Sequence, residues 1–307
     1  MHILVTGWFS FADMGTTAGD LIAKDIVCHW LTEAGVTYDV AIDEGFNVPD
    51  AVNWKNVSSS RYTDLIFVCG PFGNGWPVSE MLDKFSACRI TGINLSLLQS
   101  LHEWNPFELI YERDHFNRAF PDLTFAGGEK KVPVVGIIRA HKQKEYGKRA
   151  LHAIANEMID WLAGSRPMSI VDIDTSIGNN AGGLRSPEEI ESLIAKMDVV
   201  VTTRLHGTVL GIKNGVPVIP IDPIENGAKI TLQVMALKWP ILLQAGDNWK
   251  QETITQAFEY CTTPAAISRA HHCAETARML VNDRKQQFID DLLTLEQRQA
   301  TTATSHS

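Results

Sequence analysis

Apolar and polar positions alternate in blocks along the chain, and each block has about the length of one strand or one helix. Short apolar runs such as residues 65–69 and 132–138 predict buried strands. Residues 20–34 and 146–162 repeat apolar positions at helical spacing, which predicts amphipathic helices. Alternation of strands and helices is typical of a wound parallel sheet, so we expect an α/β fold.

This alternation of strands and helices occurs twice along the chain. The predicted strands span residues 2–6, 38–42, 65–69, 89–95, 108–111, 132–138, 168–173, 199–201, 216–221 and 239–243. The predicted helices span residues 20–34, 81–87, 146–162, 187–197, 250–261 and 265–296, with a further short helix after the strand at 199–201.

A polar, glycine-containing segment at 127–131 separates the two runs and predicts a domain boundary. With 307 residues the chain is long enough for two domains of roughly 150 residues each. We therefore expect an N-terminal domain at 1–127, a C-terminal domain at 128–297 and a polar, disordered tail at 298–307.

Composition and charge exclude several classes of protein. The net charge is −9, and the chain lacks the basic cluster of a nucleic-acid-binding face. No apolar run reaches the ~20 residues of a membrane span, and the N-terminus lacks the pattern of a secretory leader. Five cysteines without a CxxC pair argue against a disulfide framework. These features predict a cytoplasmic protein.

Familiar cofactor signals are missing as well. No GxGxxG or GxxxxGK[ST] motif follows a predicted strand, which argues against a dinucleotide or P-loop site. His271, His272 and Cys273 are consecutive, and neighbours on a helix point about 100° apart, so they make a poor metal site. We expect neither a cofactor nor a metal.

The most distinctive stretch is 198–222, DVVVTTRLHGTVLGIKNGVPVIPID. Two β-branched runs flank a polar turn that contains Arg204 and His206. Polar side chains at the carboxyl end of a parallel strand lie where open α/β sheets bind ligands. The helix that begins there favours an anion. Alternatively, Arg204 pairs with a neighbouring carboxylate and His206 caps its own helix.

This stretch resembles the signature of the polysaccharide pyruvyl transferase family, in which a valine-rich strand leads into Thr/Ser-Arg-Leu-His-Gly. Gly19-Asp20 is similar to the Gly-Asp pair at the family's first helix. Arg139 resembles its strand-ending arginine, and Asp222 followed by Lys229 resembles its acidic-then-lysine loop. The chain departs from the family at Thr17-Ala18, where an asparagine is usual at the first position.

The resemblance implies two Rossmann-like domains that face a cleft, as in the GT-B glycosyltransferases. It also implies a transferase that moves a pyruvyl group from phosphoenolpyruvate (PEP) to two hydroxyls of a sugar, forming a ketal and releasing phosphate. The expected partners are PEP, as donor at the C-terminal domain, and a saccharide acceptor at the N-terminal domain. The implied role is in exopolysaccharide or cell-wall glycan biosynthesis.

For donor binding, the resemblance points to Arg204 and Arg139, because a guanidinium fork suits both a phosphate and a carboxylate. Leu205, Gly207 and Lys229 complete the expected substrate-binding set. Gly207 has no side chain to obstruct a closely approaching phosphate. Arg139 and Lys229 also have interpretations without a ligand. Arg139 would belong to a generic basic turn, and Lys229 would be a solvated loop lysine.

Two residues are candidates for proton transfer. His206 is the expected acid for the methylene carbon of PEP, since the unperturbed pKa of histidine is near ~6.5, and it is equally suited to bind the phosphate. Asp20 is the expected base towards a sugar hydroxyl, or the N-cap of the first helix.

A glycine-rich loop at 70–76 follows another predicted strand, and its Phe72 or Trp76 either stacks on a sugar ring or packs internally. Pro71 is a second departure from the family pattern. Two other functions therefore stay open: a GT-B-like glycosyltransferase that uses a nucleotide sugar, and a catalytically silent relative that binds an anion or a partner. The acceptor sugar is also open. So is the oligomeric state, for which a homo-oligomer is one possibility.

Overall fold

The computed structural model describes residues 1–12, 14–42, 48, 50–115, 118–128, 131–141, 144–178 and 180–304, and the side chains of 144, 145 and 296–304 are not described. By its internal contacts the chain divides into a first unit, Met1–Lys130, and a second unit, Lys131–Ser307. Residues 129–130 of the predicted boundary segment lie outside the described residues.

The first unit is built on a parallel sheet with strand order β2-β1-β3-β5-β6-β7, and β4 pairs with β5. Its strands are β1 (His2–Gly7), β2 (Thr37–Val40), β3 (Asp64–Val68), β4 (Pro71–Phe72), β5 (Arg89–Leu97), β6 (Leu109–His115) and β7 (Arg118–Ala119). Its helices are α1 (Ala18–Glu33) and α2 (Val78–Lys84). The short β7 runs antiparallel to β6 at the sheet edge.

The second unit is built on a parallel sheet with strand order β12-β11-β10-β8-β9. Its strands are β8 (Val134–Ile138), β9 (Ser169–Asp172), β10 (Val199–Thr202), β11 (Val218–Asp222) and β12 (Leu243–Gln244). Its helices are α3 (His152–Ser165), α4 (Pro187–Ile194), α5 (Leu205–Lys213), α6 (Lys229–Leu237), α7 (Gln251–Cys261) and α8 (Pro264–Thr304).

Strand β10 lies in the interior of this sheet, between β8 and β11. Its three consecutive valines are all buried, because helices cover both faces of a parallel sheet. The predicted α/β class, with parallel Rossmann-like sheets, is therefore confirmed.

Three of the differences from the sequence expectation concern α3, β12 and the C-terminus. Helix α3 begins at His152 and not at residue 146, because Gly147 in the preceding turn has φ = 52°, a left-handed value that interrupts a helix. Strand β12 covers only Leu243–Gln244. Trp239, which we assigned to that strand, packs in the core, and its indole N–H donates to the Val218 carbonyl at 2.8 Å.

The third difference is the C-terminus. We predicted a disordered tail at 298–307, but α8 continues to Thr304, and only 305–307 lie outside the described residues. The segment 295–300, LEQRQA, consists of good helix formers, so its local propensity outweighs its polarity.

Candidate functional site

A short turn held by side-chain hydrogen bonds connects β10 to α5. The Thr202 hydroxyl donates to the Ile138 carbonyl at 2.9 Å and accepts the Arg204 N–H at 2.9 Å. The Thr203 hydroxyl accepts the Ala140 N–H at 2.8 Å. Both threonines are buried, so they fix the turn against the end of the neighbouring strand β8.

This turn borders a small cavity of about 170 Å³. The cavity is lined by Ala140, Thr203, Arg204, Leu205, His206 and Lys229. The structure thus brings together four of the predicted site residues from two separate segments. Leu205 and His206 are the first residues of α5, whose opening turn carries backbone N–H groups without partners inside the helix. Cationic side chains and a helix N-terminus therefore meet at one cavity.

Arg204 is held in place by partners on the segment after β9. Its Nη1 donates to Asp174 Oδ1 at 3.0 Å and its Nη2 donates to Ser176 Oγ at 2.8 Å. Arg204 therefore does pair with a neighbouring carboxylate, which was the alternative to ligand binding. A guanidinium has five N–H donors, and these two bonds use two of them. The pairing therefore orients the arginine and is compatible with ligand binding.

Asp174 is the partner of Arg204 at this site, and no motif in the sequence marks it. Its side chain is only 11% exposed, and it accepts the Ser176 N–H at 2.9 Å. His141 Nε2 lies 3.3 Å from its carboxylate oxygens. Burial acts to raise the pKa of Asp174, but the hydrogen bonds from Ser176 and His141 and the charge of Arg204 outweigh it, so the pKa lies below its usual value. A charged Asp174 anchors the arginine.

Lys229 is placed at the cavity by a buried carboxylate. Asp222 Oδ2 accepts the N–H groups of Ala228 at 2.8 Å and Thr231 at 3.0 Å, together with the Thr231 hydroxyl at 2.7 Å. Its Oδ1 accepts the Ile224 N–H at 3.1 Å. These bonds fix the loop that leads into α6, whose first residue is Lys229. The acidic-then-lysine spacing thus has a structural basis.

An aromatic ring lies beside the same lysine. Lys229 Nζ is 5.7 Å from the centre of the Tyr146 ring, and Arg149 Cζ is 5.9 Å from it. Both distances are within the range of a cation–π contact. Tyr146 is 83 positions before Lys229 in the sequence, and nothing in its local pattern marks it as part of a site.

Gly207 has a packing role. A Cβ at this position would lie 2.2 Å from Thr202 Oγ1 and 3.1 Å from Ile138 Cγ2. Helix α5 therefore approaches the sheet more closely than any other residue would allow. The space on the Cβ side of Gly207 is occupied by Thr202 and Ile138, and the expected role of Gly207 in phosphate binding stays a prediction.

Two expected site residues are placed elsewhere. Arg139 Nη2 donates to Asp160 Oδ1 on α3 at 2.7 Å, and Arg139 is outside the described lining of the cavity. Asp20 belongs to the first unit, where its Oδ2 accepts the N–H and the hydroxyl of Thr17, each at 2.8 Å. Thr17 is the N-cap of α1 and Asp20 its third residue, so the two form a reciprocal capping box.

In the glycine-rich loop of the first unit, one aromatic side chain is buried and the other is exposed. Phe72 is buried and stacks on Trp104 with ring centres 5.5 Å apart, so it packs internally. Trp76 is 72% exposed and borders a cavity of about 310 Å³. Of the two aromatic candidates for a sugar contact, only Trp76 is accessible.

Across the described ranges, no group of three or more His, Cys, Asp and Glu residues is arranged to hold a metal ion. Over the same part of the chain, no helix combines the length and apolar character needed to cross a membrane.

Comparison with solved structures finds distant matches. A spinosyn rhamnosyltransferase is 12% identical, with 90% of this chain and 95% of that chain covered and a TM-score of 0.34. A calicheamicin glycosyltransferase is 12% identical (89% and 93% covered, TM-score 0.30). UDP-GlcNAc 2-epimerase from Methanocaldococcus jannaschii is 10% identical (92% and 100% covered, TM-score 0.31). These scores are too low to assign a function.

No curated protein sequence matches this chain. The model of the family described as "Polysaccharide pyruvyl transferase" matches residues 120–225. That range contains the β10–α5 turn and its partners after β9, and therefore most of the cavity lining. The resemblance is thus confirmed, and over residues 120–225 this chain matches the polysaccharide pyruvyl transferase family.

Proposed function

We propose that this protein transfers a pyruvyl group from PEP to a saccharide acceptor as a ketal, with release of phosphate. The observation that carries the proposal is the cavity where Arg204, His206 and Lys229 converge at the start of α5. The chain as a whole carries a net charge of −9. A local concentration of cations in such a chain supports binding of a small, multiply charged anion.

The size of the cavity supports a small donor. Its volume of about 170 Å³ corresponds to roughly five or six waters at ~30 Å³ each. This suits a phosphate group attached to a three-carbon acid. Pockets for larger ligands typically have volumes of ~300–1,000 Å³, so a nucleotide sugar fits this cavity less well.

In the proposed reaction, Arg204, Lys229 and the first N–H groups of α5 bind the phosphate and carboxylate of PEP. His206, which is exposed at the opening of α5, donates a proton to the methylene carbon. One sugar hydroxyl then bonds to the resulting cationic carbon. The second hydroxyl replaces phosphate when the carbon–oxygen bond to phosphate breaks, and both hydroxyl protons are released.

The first unit supplies the saccharide side in this proposal. Trp76 is the candidate to stack on a sugar ring. Asp20 is the candidate base. Its Oδ2 accepts the capping-box hydrogen bonds, so Oδ1 would accept the hydroxyl proton. Arg139 joins the donor site only if it leaves Asp160 when PEP binds.

The test has two stages. Thermal unfolding with PEP, UDP or GDP identifies the ligand, and a PEP concentration of 100 times its Kd would stabilise the fold by ~2.7 kcal/mol. Release of phosphate from PEP is then measured with a panel of saccharides. Stabilisation by PEP alone, followed by acceptor-dependent phosphate release, supports the proposal. Stabilisation by a nucleotide and not by PEP would refute it, and PEP binding without release for any acceptor would indicate a silent relative.

A further inference from the structure

Between residues 278 and 295, helix α8 exposes a stripe of large apolar side chains. The helix packs on the second unit through buried residues such as Ala266, Ala270 and Cys273. Every residue from 278 to 295 is exposed. The exposed side chains include Val281 at 66%, Phe288 at 59%, Leu292 at 46% and Leu295 at 54%.

These four side chains lie on one face of the helix. Their spacings of seven, four and three residues place them within about 60° of one another, at ~100° per residue. Apolar residues at alternating spacings of three and four form the seam along which two helices pair. We propose that this face of α8 pairs with the same face of a second copy of the chain, antiparallel across a two-fold axis.

The charges beside the stripe support an antiparallel pair. Arg284 and Asp291 are seven residues apart and lie on the same flank of the stripe. In an antiparallel register that sets Val281 against Leu292 of the second copy, Arg284 faces Asp291 of the second copy. Because the two-fold axis repeats every contact, the pair forms twice. Parallel helices would not bring these two residues together.

The same register sets Phe288 against Lys285 of the second copy. Lys285 is the polar residue that interrupts the seam, between Val281 and Phe288. Its aliphatic stem and ammonium group can cover an aromatic ring, which makes this an acceptable contact. The interruption therefore fits the antiparallel register.

A groove continues the stripe onto the body of the second unit. It has a volume of about 420 Å³ and lies between α5, α6 and α8, with Val209, Ile212, Leu237 and Val281 among its lining residues. Val281 belongs to both the groove and the stripe. In the proposed register, Leu292 and Leu295 of the second copy lie opposite this end of α8, so the groove is where their side chains insert.

The charge balance favours a protein partner over a lipid surface. Between 278 and 295 the helix carries three cations and three anions, namely Arg278, Arg284, Lys285, Asp283, Asp290 and Asp291. Helices that lie on anionic membranes are rich in Lys and Arg on the polar face. A second copy, with complementary charges at matching positions, is the better fit.

The first experiment is sedimentation velocity over a concentration series, with the full chain and two matched variants. Leu292→Glu places a charge in the seam, and Leu293→Glu makes the same change at an exposed residue about 100° around the helix. We expect a dimer for the wild type and for Leu293→Glu, and a dissociation constant raised about tenfold or more for Leu292→Glu. A wild type that is monomeric throughout, or equal effects of the two variants, would overturn the proposal.

The second experiment tests the register by exchanging charges. Arg284→Asp and Asp291→Arg should each weaken the dimer, and the double variant should restore it, because both ion pairs re-form with reversed signs. Both side chains are exposed, so each variant should keep the fold of the monomer, which circular dichroism checks. If the double variant is weaker than either single variant, the antiparallel register is wrong. Binding of monomers to anionic vesicles through Leu292 would assign the face to a membrane and overturn the dimer.

Discussion

Replacing Arg204 with alanine tests the proposed PEP site at a residue that two side-chain partners hold. The side chain is only 24% exposed, and Asp174 and Ser176 fix its guanidinium before any ligand arrives. A hydrogen bond to a charged group contributes ~1.5–3 kcal/mol. At ~1.4 kcal/mol per factor of ten, loss of one such bond predicts PEP binding about 10- to 150-fold weaker.

Isothermal titration calorimetry with PEP measures this loss, and thermal unfolding of each variant checks that it is folded. Arg204→Lys keeps the positive charge but loses the planar fork that reaches both Asp174 and Ser176. We expect its PEP affinity to lie between those of the wild type and Arg204→Ala. Unchanged affinity in a folded Arg204→Ala variant would refute the assignment of this cavity to the donor.

Arg139→Ala removes the same charge from the end of the neighbouring strand. Its partner Asp160 is 66% exposed, and exposed ion pairs contribute only ~0–1 kcal/mol to stability. Because Arg139 is outside the described cavity lining, we expect PEP affinity to change by less than about threefold. A loss as large as that of Arg204→Ala in the same titration would show that Arg139 turns towards the ligand.

The remaining predictions concern three other residues. His206→Gln should lower turnover by ~10²- to 10⁴-fold with a smaller change in PEP affinity, measured by steady-state kinetics and calorimetry, and the opposite pattern would make His206 a phosphate ligand. Gly207→Ala should lower the free energy of unfolding in urea by ~1–3 kcal/mol, because the added methyl would lie 2.2 Å from Thr202 Oγ1. Since the pKa of Asp174 is held below its usual ~3.9, its stabilising contribution is complete above that pH and is lost as the pH falls through the folded-state pKa. Calorimetry at pH 5 and pH 3 should therefore show a smaller fall in melting temperature for Asp174→Asn than for the wild type, and equal falls would contradict this.

The β10–α5 turn could be predicted because its signals are local. A run of valines marks a strand buried on both faces, and Arg204 follows it at the edge where parallel sheets bind ligands. The partners of Arg204 could not be predicted in the same way. Asp174 follows β9, and only the strand order β10-β8-β9 brings that segment to the turn. Sequence patterns identify strands but do not give their order.

Local and long-range contacts differ in how well the sequence predicts them. Asp20 and Thr17 have the types and spacing of a capping box, and the structure forms that box. The sequence does not identify Thr202 as the close neighbour of Gly207, because that contact forms only when α5 packs on the sheet. A polar composition at the C-terminus suggested disorder, whereas the helix propensity of the same residues extends α8.

We propose PEP as the donor, with its phosphate released at the cavity of Arg204 and Lys229. The most direct measurement incubates the protein with PEP and a panel of saccharides and follows free phosphate and the mass of each saccharide together. For at least one acceptor, we expect phosphate and a saccharide heavier by one pyruvyl ketal to appear in equal amounts, and both to be lost in Arg204→Ala. Phosphate without a modified saccharide, or a saccharide modified from a nucleotide sugar and not from PEP, would contradict it.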